Sequence, residues 1–161
     1  MATIRQARTS DAEAISSLNV DVQALHAAAF PQRFKRPSAE TFPPSAAAAL
    51  LAEARNLVFI AESDGQPAGY AYAEIIRNPE NAFRHRYDMI YLHHISVRPQ
   101  HRNKGIGRAL LQAIRSAAQN NGIDVMATEV WSFNEAARRF FRESGFEPYV
   151  ERLWTRAGQD S

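Results

Sequence analysis

The sequence contains no cysteine. That absence excludes a disulfide framework, a thiolate nucleophile and any cysteine-ligated metal site, and it suits a reducing compartment. Long apolar runs are missing too: the longest, Ala46–Ala52, falls far short of the ~20 residues that span a bilayer. The opening Met-Ala-Thr-Ile-Arg lacks the charged-then-apolar pattern of a secretion signal, so a soluble, cytoplasmic protein without a membrane partner is expected. Excess charge is also small. A formal net charge of +2 gives no ground by itself for binding nucleic acid.

What is present is ordinary for a globular chain: 161 residues, 45% hydrophobic and 22% charged. That length suits one core rather than two, so residues 1–161 are expected to form one domain. The charge is unevenly placed. Residues 1–80 carry 7 Lys/Arg against 9 Asp/Glu, whereas residues 81–161 carry 12 against 8. A basic second half suits an anionic ligand.

Along the chain, Thr3–Arg8 reads as a strand, and Ser10-Asp-Ala-Glu13 as a capping box opening a helix. Ile15, Leu18, Val22 and Leu25 then recur at helical spacing towards Ala29. After a proline-punctuated stretch, the alanine-rich Ser45–Arg55 predicts a second helix. Leu57–Glu62 and Ala68–Ile76 flank Asp64-Gly65, a hairpin signal. A polar, basic loop around Asn78–Arg86 precedes a strand over Tyr91–Val97. Ile106, Leu110, Leu111 and Ile114 mark one face of a helix that ends near Asn120-Asn121-Gly122. Ile123–Trp131 reads as a strand, Asn134–Ser144 as a helix stopped by Gly145, and Tyr149–Thr155 as a last strand. The order, β-α-α-β-β-β-α-β-α-β, implies an α/β fold on a mixed sheet.

The most informative segment joins the Tyr91–Val97 strand to the next helix: Val97-Arg-Pro-Gln-His-Arg102-Asn-Lys-Gly105-Ile-Gly107-Arg108. Two glycines let backbone approach a ligand closely. Amides at the helix start lack intrahelical partners, and with the positive end of the helix dipole they suit a pyrophosphate. Arg102, Lys104 and Arg108 add charge-assisted donors. No Gly-Lys-Ser/Thr follows, so this is not a P-loop, and the Rossmann fingerprint is incomplete.

This arrangement resembles the GNAT family of N-acetyltransferases. Arg102-x-x-Gly105-x-Gly107 after Val97-x-Pro99 is similar to that family's acetyl-CoA signature. Asn134-Glu-Ala-Ala137, followed by Phe140-Phe141-Arg-Glu-Ser-Gly145-Phe146, is similar to its Asn-x-x-Ala and Tyr-x-x-x-Gly-Phe ending. The resemblance covers essentially the whole chain. It implies a single-domain, mostly antiparallel mixed sheet of about six or seven strands with a splayed parallel pair, flanked by about four helices.

It also implies acetyl-CoA as cosubstrate, no metal, and attack of a primary amine on the thioester. The amine belongs to a small molecule or a peptide. Pantetheine would run along Ile95, Ser96 and Val97, held partly by backbone as an added strand would be. Pyrophosphate would sit on Arg102, Asn103, Lys104, Gly105, Ile106, Gly107 and Arg108, with Asn134, Ala137 and Phe141 near the thioester end. Homodimers are common in that family, and the last strand would serve one here.

A protonated amine must lose a proton before it attacks, so a base is needed. Strand alternation puts Tyr91, His93, Ile95 and Val97 on one face and Leu92, His94 and Ser96 on the other. The resemblance implies a base on the face that includes Val97, which makes His93 the first candidate; Glu129 acting through water is the second and Tyr91 the third. The family's thiolate-protonating tyrosine is replaced by Phe141, which has no proton to give; Tyr149, Ser132 or solvent would have to serve. The acceptor pocket is expected from His26, Phe30, Phe34, Tyr72, Glu74 and Trp131, with Glu74 attracting a cationic amine. A rival reading is an acyl-CoA-binding regulatory module with little catalysis. Arg84-His85-Arg86 motivates a third, nucleic-acid binding, but no interleaved aromatics or nucleic-acid motif support it.

Overall fold

The computed structural model describes residues 2–158, and the chain divides after Glu129 into two compact units. The first unit is built on a five-stranded sheet in simple sequential order. Its strands are β1 (Thr3–Gln6), β2 (Asn56–Ser63), β3 (Gln66–Ile76), β4 (Met89–Val97) and β5 (Met126–Thr128). β1 to β4 pair antiparallel, and β4 with β5 is the parallel pair. Helix α1 (Ala12–Ala29) and helix α2 (Pro44–Ala52) pack with Val58, Ile60 and Tyr70 into the core on one face. Leu57 and Phe59 alternate to the other face, where they meet residues of helix α3 (Ile106–Asn120). The second unit contains helix α4 (Glu135–Glu143). No helix among the described residues is long and apolar enough to cross a membrane.

Local signals explain much of this. Asp64 and Gly65, with φ of 54° and 74°, both adopt the left-handed region that a two-residue hairpin turn demands. Helix α3 buries Ile106, Leu110, Leu111, Ile114 and Ala118, the apolar stripe of the sequence. Gly69 marks a close approach of β3 to β4: a Cβ there would lie 2.6 Å from the Ser96 carbonyl oxygen. Ser96 is buried, and its Oγ donates to Leu18 O of α1 at 3.0 Å, hanging the helix on the sheet.

Four expectations are corrected. The sheet has five strands among the described residues, not six or seven. Tyr149–Thr155 forms no strand: Tyr149-Val150 and Leu153-Trp154 are apolar pairs split by two charges, so no alternating face exists to dock. The Ile123–Trp131 strand shrinks to Met126–Thr128 because pairing with β4 stops at Leu92↔Thr128. Ser10 opens no capping box, since it lies in a 3-10 turn, Thr9–Asp11, ahead of α1. Asp11 anchors that turn instead, accepting from Arg8 N at 2.7 Å and from both Arg5 terminal nitrogens at 2.8 and 2.9 Å. The Arg5 guanidinium holds this carboxyl below its ordinary range.

Candidate active site

The site begins where β4 and β5 part. The last paired residues are Leu92 and Thr128, and Thr128 Oγ1 donates to Leu92 O at 2.9 Å to close the split. Beyond it, Arg98 N donates to Ala68 O of β3 at 2.9 Å. Backbone groups alternate between a strand's two edges, so those of Ile95 and Val97 face the edge that β5 has left. There the Val97 carbonyl accepts from Arg102 Nε at 3.0 Å.

The loop after β4 delivers a helix start to the same region. A 3-10 turn over Pro99–His101 leads to Asn103 (φ 60°) and to Gly105 (φ 80°), the N-cap of α3. Glycine has no side chain with which to cap the first-turn amides. The first amide to find a carbonyl of this turn is that of Ala109, on Gly105 O at 3.0 Å. Those of Ile106, Gly107 and Arg108 precede it, and a helix start of this kind suits an anion. Arg102, Asn103, Lys104 and Arg108 are exposed around it, while Ile106 is buried and anchors the helix.

In the middle of β4 the alternation expected from the sequence breaks. Tyr72 pairs with His94 but Ala73 pairs with Leu92, leaving His93 as the extra residue of a β-bulge. Both imidazoles therefore reach Tyr72, which stacks on His93 (centroids 4.7 Å, 13°) and meets His94 edge-on at 5.5 Å. Alternation had put them on opposite faces; the inserted residue is the reason it fails. His93 Nε2 lies 2.9 Å from Glu74 Oε2, and Tyr91 packs against the ring at 4.8 Å. Glu74 Oε1 pairs with Arg55 Nη1 at 3.3 Å. Glu74 is thus engaged on both oxygens, by His93 and by Arg55.

His94 is partnered differently. Its Nδ1 lies 3.0 Å from the Tyr70 hydroxyl, which accepts from Asn19 Nδ2 at 2.8 Å. Phe42 and Tyr70 flank the ring edge-on. Burial, with smaller contributions from His93 and His26, lowers the His94 pKa from 6.5 to about 4, so the ring is neutral at pH 7. Burial and the nearby Glu74 charge raise the pKa of the Tyr72 hydroxyl.

The other expected residues are spread more widely. Glu129 is exposed, one residue past β5. His26 Nδ1 approaches Val22 O at 2.7 Å within α1, and its ring lies 5.0 Å from Phe34; Phe30 is the C-cap of that helix. Ser96 has its hydroxyl spent on Leu18, so only its backbone remains for a ligand. Within the second unit, Asn134 Oδ1 accepts from Ala137 N at 3.1 Å and caps α4. Phe141 is buried between Phe140 and Phe146, each 5.2 Å away, and Trp131 stacks on Phe133. In the basic loop, Arg86 is committed to Asp88 at 2.8 Å. Sequence reasoning missed Arg55, Asn19 and Tyr70. Asn19 carried a signal, as a polar residue beside the apolar stripe of α1; Arg55 carried none.

A sheet with one splayed parallel pair, a glycine-capped basic helix start at the split, and the two matching motifs define the N-acetyltransferase class. The chain belongs to the acetyltransferase (GNAT) family, whose model matches residues 19–146. It is similar to the L-amino acid N-acyltransferase MnaT of Escherichia coli, 34% identical over 98 residues. That match covers 58% of this chain and 54% of MnaT, so the chain spans about half the length of this relative. It is also 28% identical over 144 residues to YhfO of Bacillus subtilis, described as an uncharacterized N-acetyltransferase, covering 89% of each. Among solved structures, the BH1408 protein of Bacillus halodurans superposes with a TM-score of 0.90 at 22% identity, over 96% of this chain and 99% of that one. The aminoglycoside N-acetyltransferase AAC(6')-Iy in complex with CoA gives 0.72 at 23% identity, over 99% and 96%. These two structures share the fold.

Proposed function

We propose that this protein is an acetyl-CoA-dependent N-acetyltransferase acting on a primary amine of a small molecule or peptide. The observation that carries the reading is the glycine-capped start of α3, ringed by Arg102, Lys104 and Arg108, beside the β4 edge that β5 leaves. A CoA pyrophosphate fits the amides and cations, and the pantetheine amides fit the backbone groups of Ile95 and Val97 as an added strand. Asn134, Ala137 and Phe141 belong to the same reading through the family's second motif. The acylated amino acids and aminoglycosides named for its relatives support an amine acceptor.

In the reaction the amine nitrogen attacks the thioester carbonyl carbon, the new C–N bond forms, and the C–S bond breaks. CoA leaves as thiolate. The proton released from the amine passes to His93, directly or through water, and solvent protonates the thiolate. Phe141 has no proton to offer that step, and this is the observation behind the second reading, a CoA-binding module with little turnover.

Calorimetry with CoA and acetyl-CoA, followed by thiol release over a panel of polyamines, amino acids, aminoglycosides and peptide N-termini, tests both. No heat of binding defeats the proposal, and binding without turnover leaves the module. His93→Ala is expected to lower turnover about 100-fold while acetyl-CoA affinity stays unchanged.

A further inference from the structure

We infer that Glu74, pinned by Arg55, is a positioning residue that fixes the tautomer of His93, so that Nδ1 rather than Nε2 is the atom receiving the proton. This rests on His93 acting as the base of the proposed reaction. An ionised carboxylate can only accept hydrogen bonds. Glu74 Oε2, 2.9 Å from His93 Nε2, therefore requires the proton of the neutral ring at Nε2. The lone pair is left on Nδ1. Arg55 Nη1, 3.3 Å from Oε1, fixes the second oxygen of the carboxylate. Tyr72 stacks on the ring and Tyr91 closes its side, so a ring flip that would carry Nε2 away from Glu74 is obstructed.

The groups around His93 divide by kind. From β3 come Glu74 and the Tyr72 hydroxyl; from β4 come Tyr91 and the neighbouring His94; Arg55 comes from the turn before β2. Glu74 is the sole carboxylate within ion-pair distance of the ring among the described residues. When His93 takes the proton at Nδ1, the imidazolium keeps its Nε2–H on Glu74 and gains a charge partner already in place. No backbone or side chain has to move to receive the charge.

The test is the nitrogen chemical shifts of the His93 imidazole in the whole protein, free of ligand, at a pH where the ring is neutral. The expected wild-type pattern is a protonated Nε2 and an unprotonated Nδ1. Glu74→Gln offers both a donor and an acceptor, so the two tautomers should become mixed and kcat should fall about tenfold or more, with the acetyl-CoA KM unchanged. Glu74→Asp keeps an acceptor-only carboxylate and should retain the wild-type pattern. A wild-type proton on Nδ1, an unaltered tautomer in Glu74→Gln, or an unaltered kcat overturns the inference. Failure of the proposed function reads differently: wild-type protein would transfer no acetyl group to any amine, whatever the tautomer.

Discussion

Acidification should unfold this protein earlier than its carboxylates alone require, because of His94. The ring is neutral in the folded chain, its pKa lowered from 6.5 to about 4 first by burial and then by the two neighbouring histidines. In the unfolded chain it titrates at the ordinary value. Between these values only the unfolded chain takes up the proton, so stability is complete above about pH 6.5 and is lost as the pH falls towards 4. By about pH 5 the loss from this one group is about 2 kcal/mol, rising to about 3 kcal/mol at the lower end. Asp11 and Asp88 also have lowered pKa values, the latter to about 2, and their contributions are lost only at lower pH. The informative range is therefore about pH 7.5 to about pH 5. Urea unfolding across it should show the wild type losing about 2 kcal/mol more than His94→Gln, which keeps an acceptor for the Tyr70 hydroxyl but has no titrating ring. The remaining histidines are common to both proteins and cancel. Parallel pH profiles for the two proteins, or a His94 resonance titrating near its ordinary value, would refute the reasoning.

Other perturbations read other parts of the fold. Tyr70→Phe removes a hydroxyl shared by Asn19 and His94, and should lower the free energy of urea unfolding by about 2–3 kcal/mol. Gly69→Ala puts a Cβ 2.6 Å from a backbone oxygen; β3 and β4 must separate, and a stability loss of about 1–3 kcal/mol should appear as a lower thermal midpoint. Gly105→Ala meets no atom within 4 Å but sits at a φ of 80°, so only conformational strain of about 1 kcal/mol is expected in the same measurement.

The sequence made some features legible because their causes are local. The Asp64-Gly65 turn, the stripe of α3 and the glycine cap at Gly105 each rest on residues within a few positions of one another. Asn134 capping α4 and Gly145 (φ 84°) closing it follow the same logic. What escaped depends on partners far along the chain. Asp11 replaces Ser10 at the start of the first helix, and the Arg5 that holds it is held in turn by Glu62, 57 positions away. Glu74 binds His93 across the β3–β4 pair, 19 positions away, and Asn19 meets Tyr70 from another element altogether. The bulge escaped for a further reason: period-2 alternation presumes an unbroken ladder, and nothing in Leu92-His93-His94 announces the extra residue.

That extra residue can be lost without disturbing the sheet. Deleting one of the two histidines leaves the other opposite Tyr72 and directly after Leu92 opposite Ala73, so the ladder runs on unbroken with its other pairs kept. Ser96 would stay opposite Tyr70, where its hydroxyl holds the Leu18 carbonyl. What disappears is the second imidazole beside Tyr72. A deletion at this point should therefore spare the fold and cost the chemistry, which marks the surplus residue as belonging to the site and not to the scaffold.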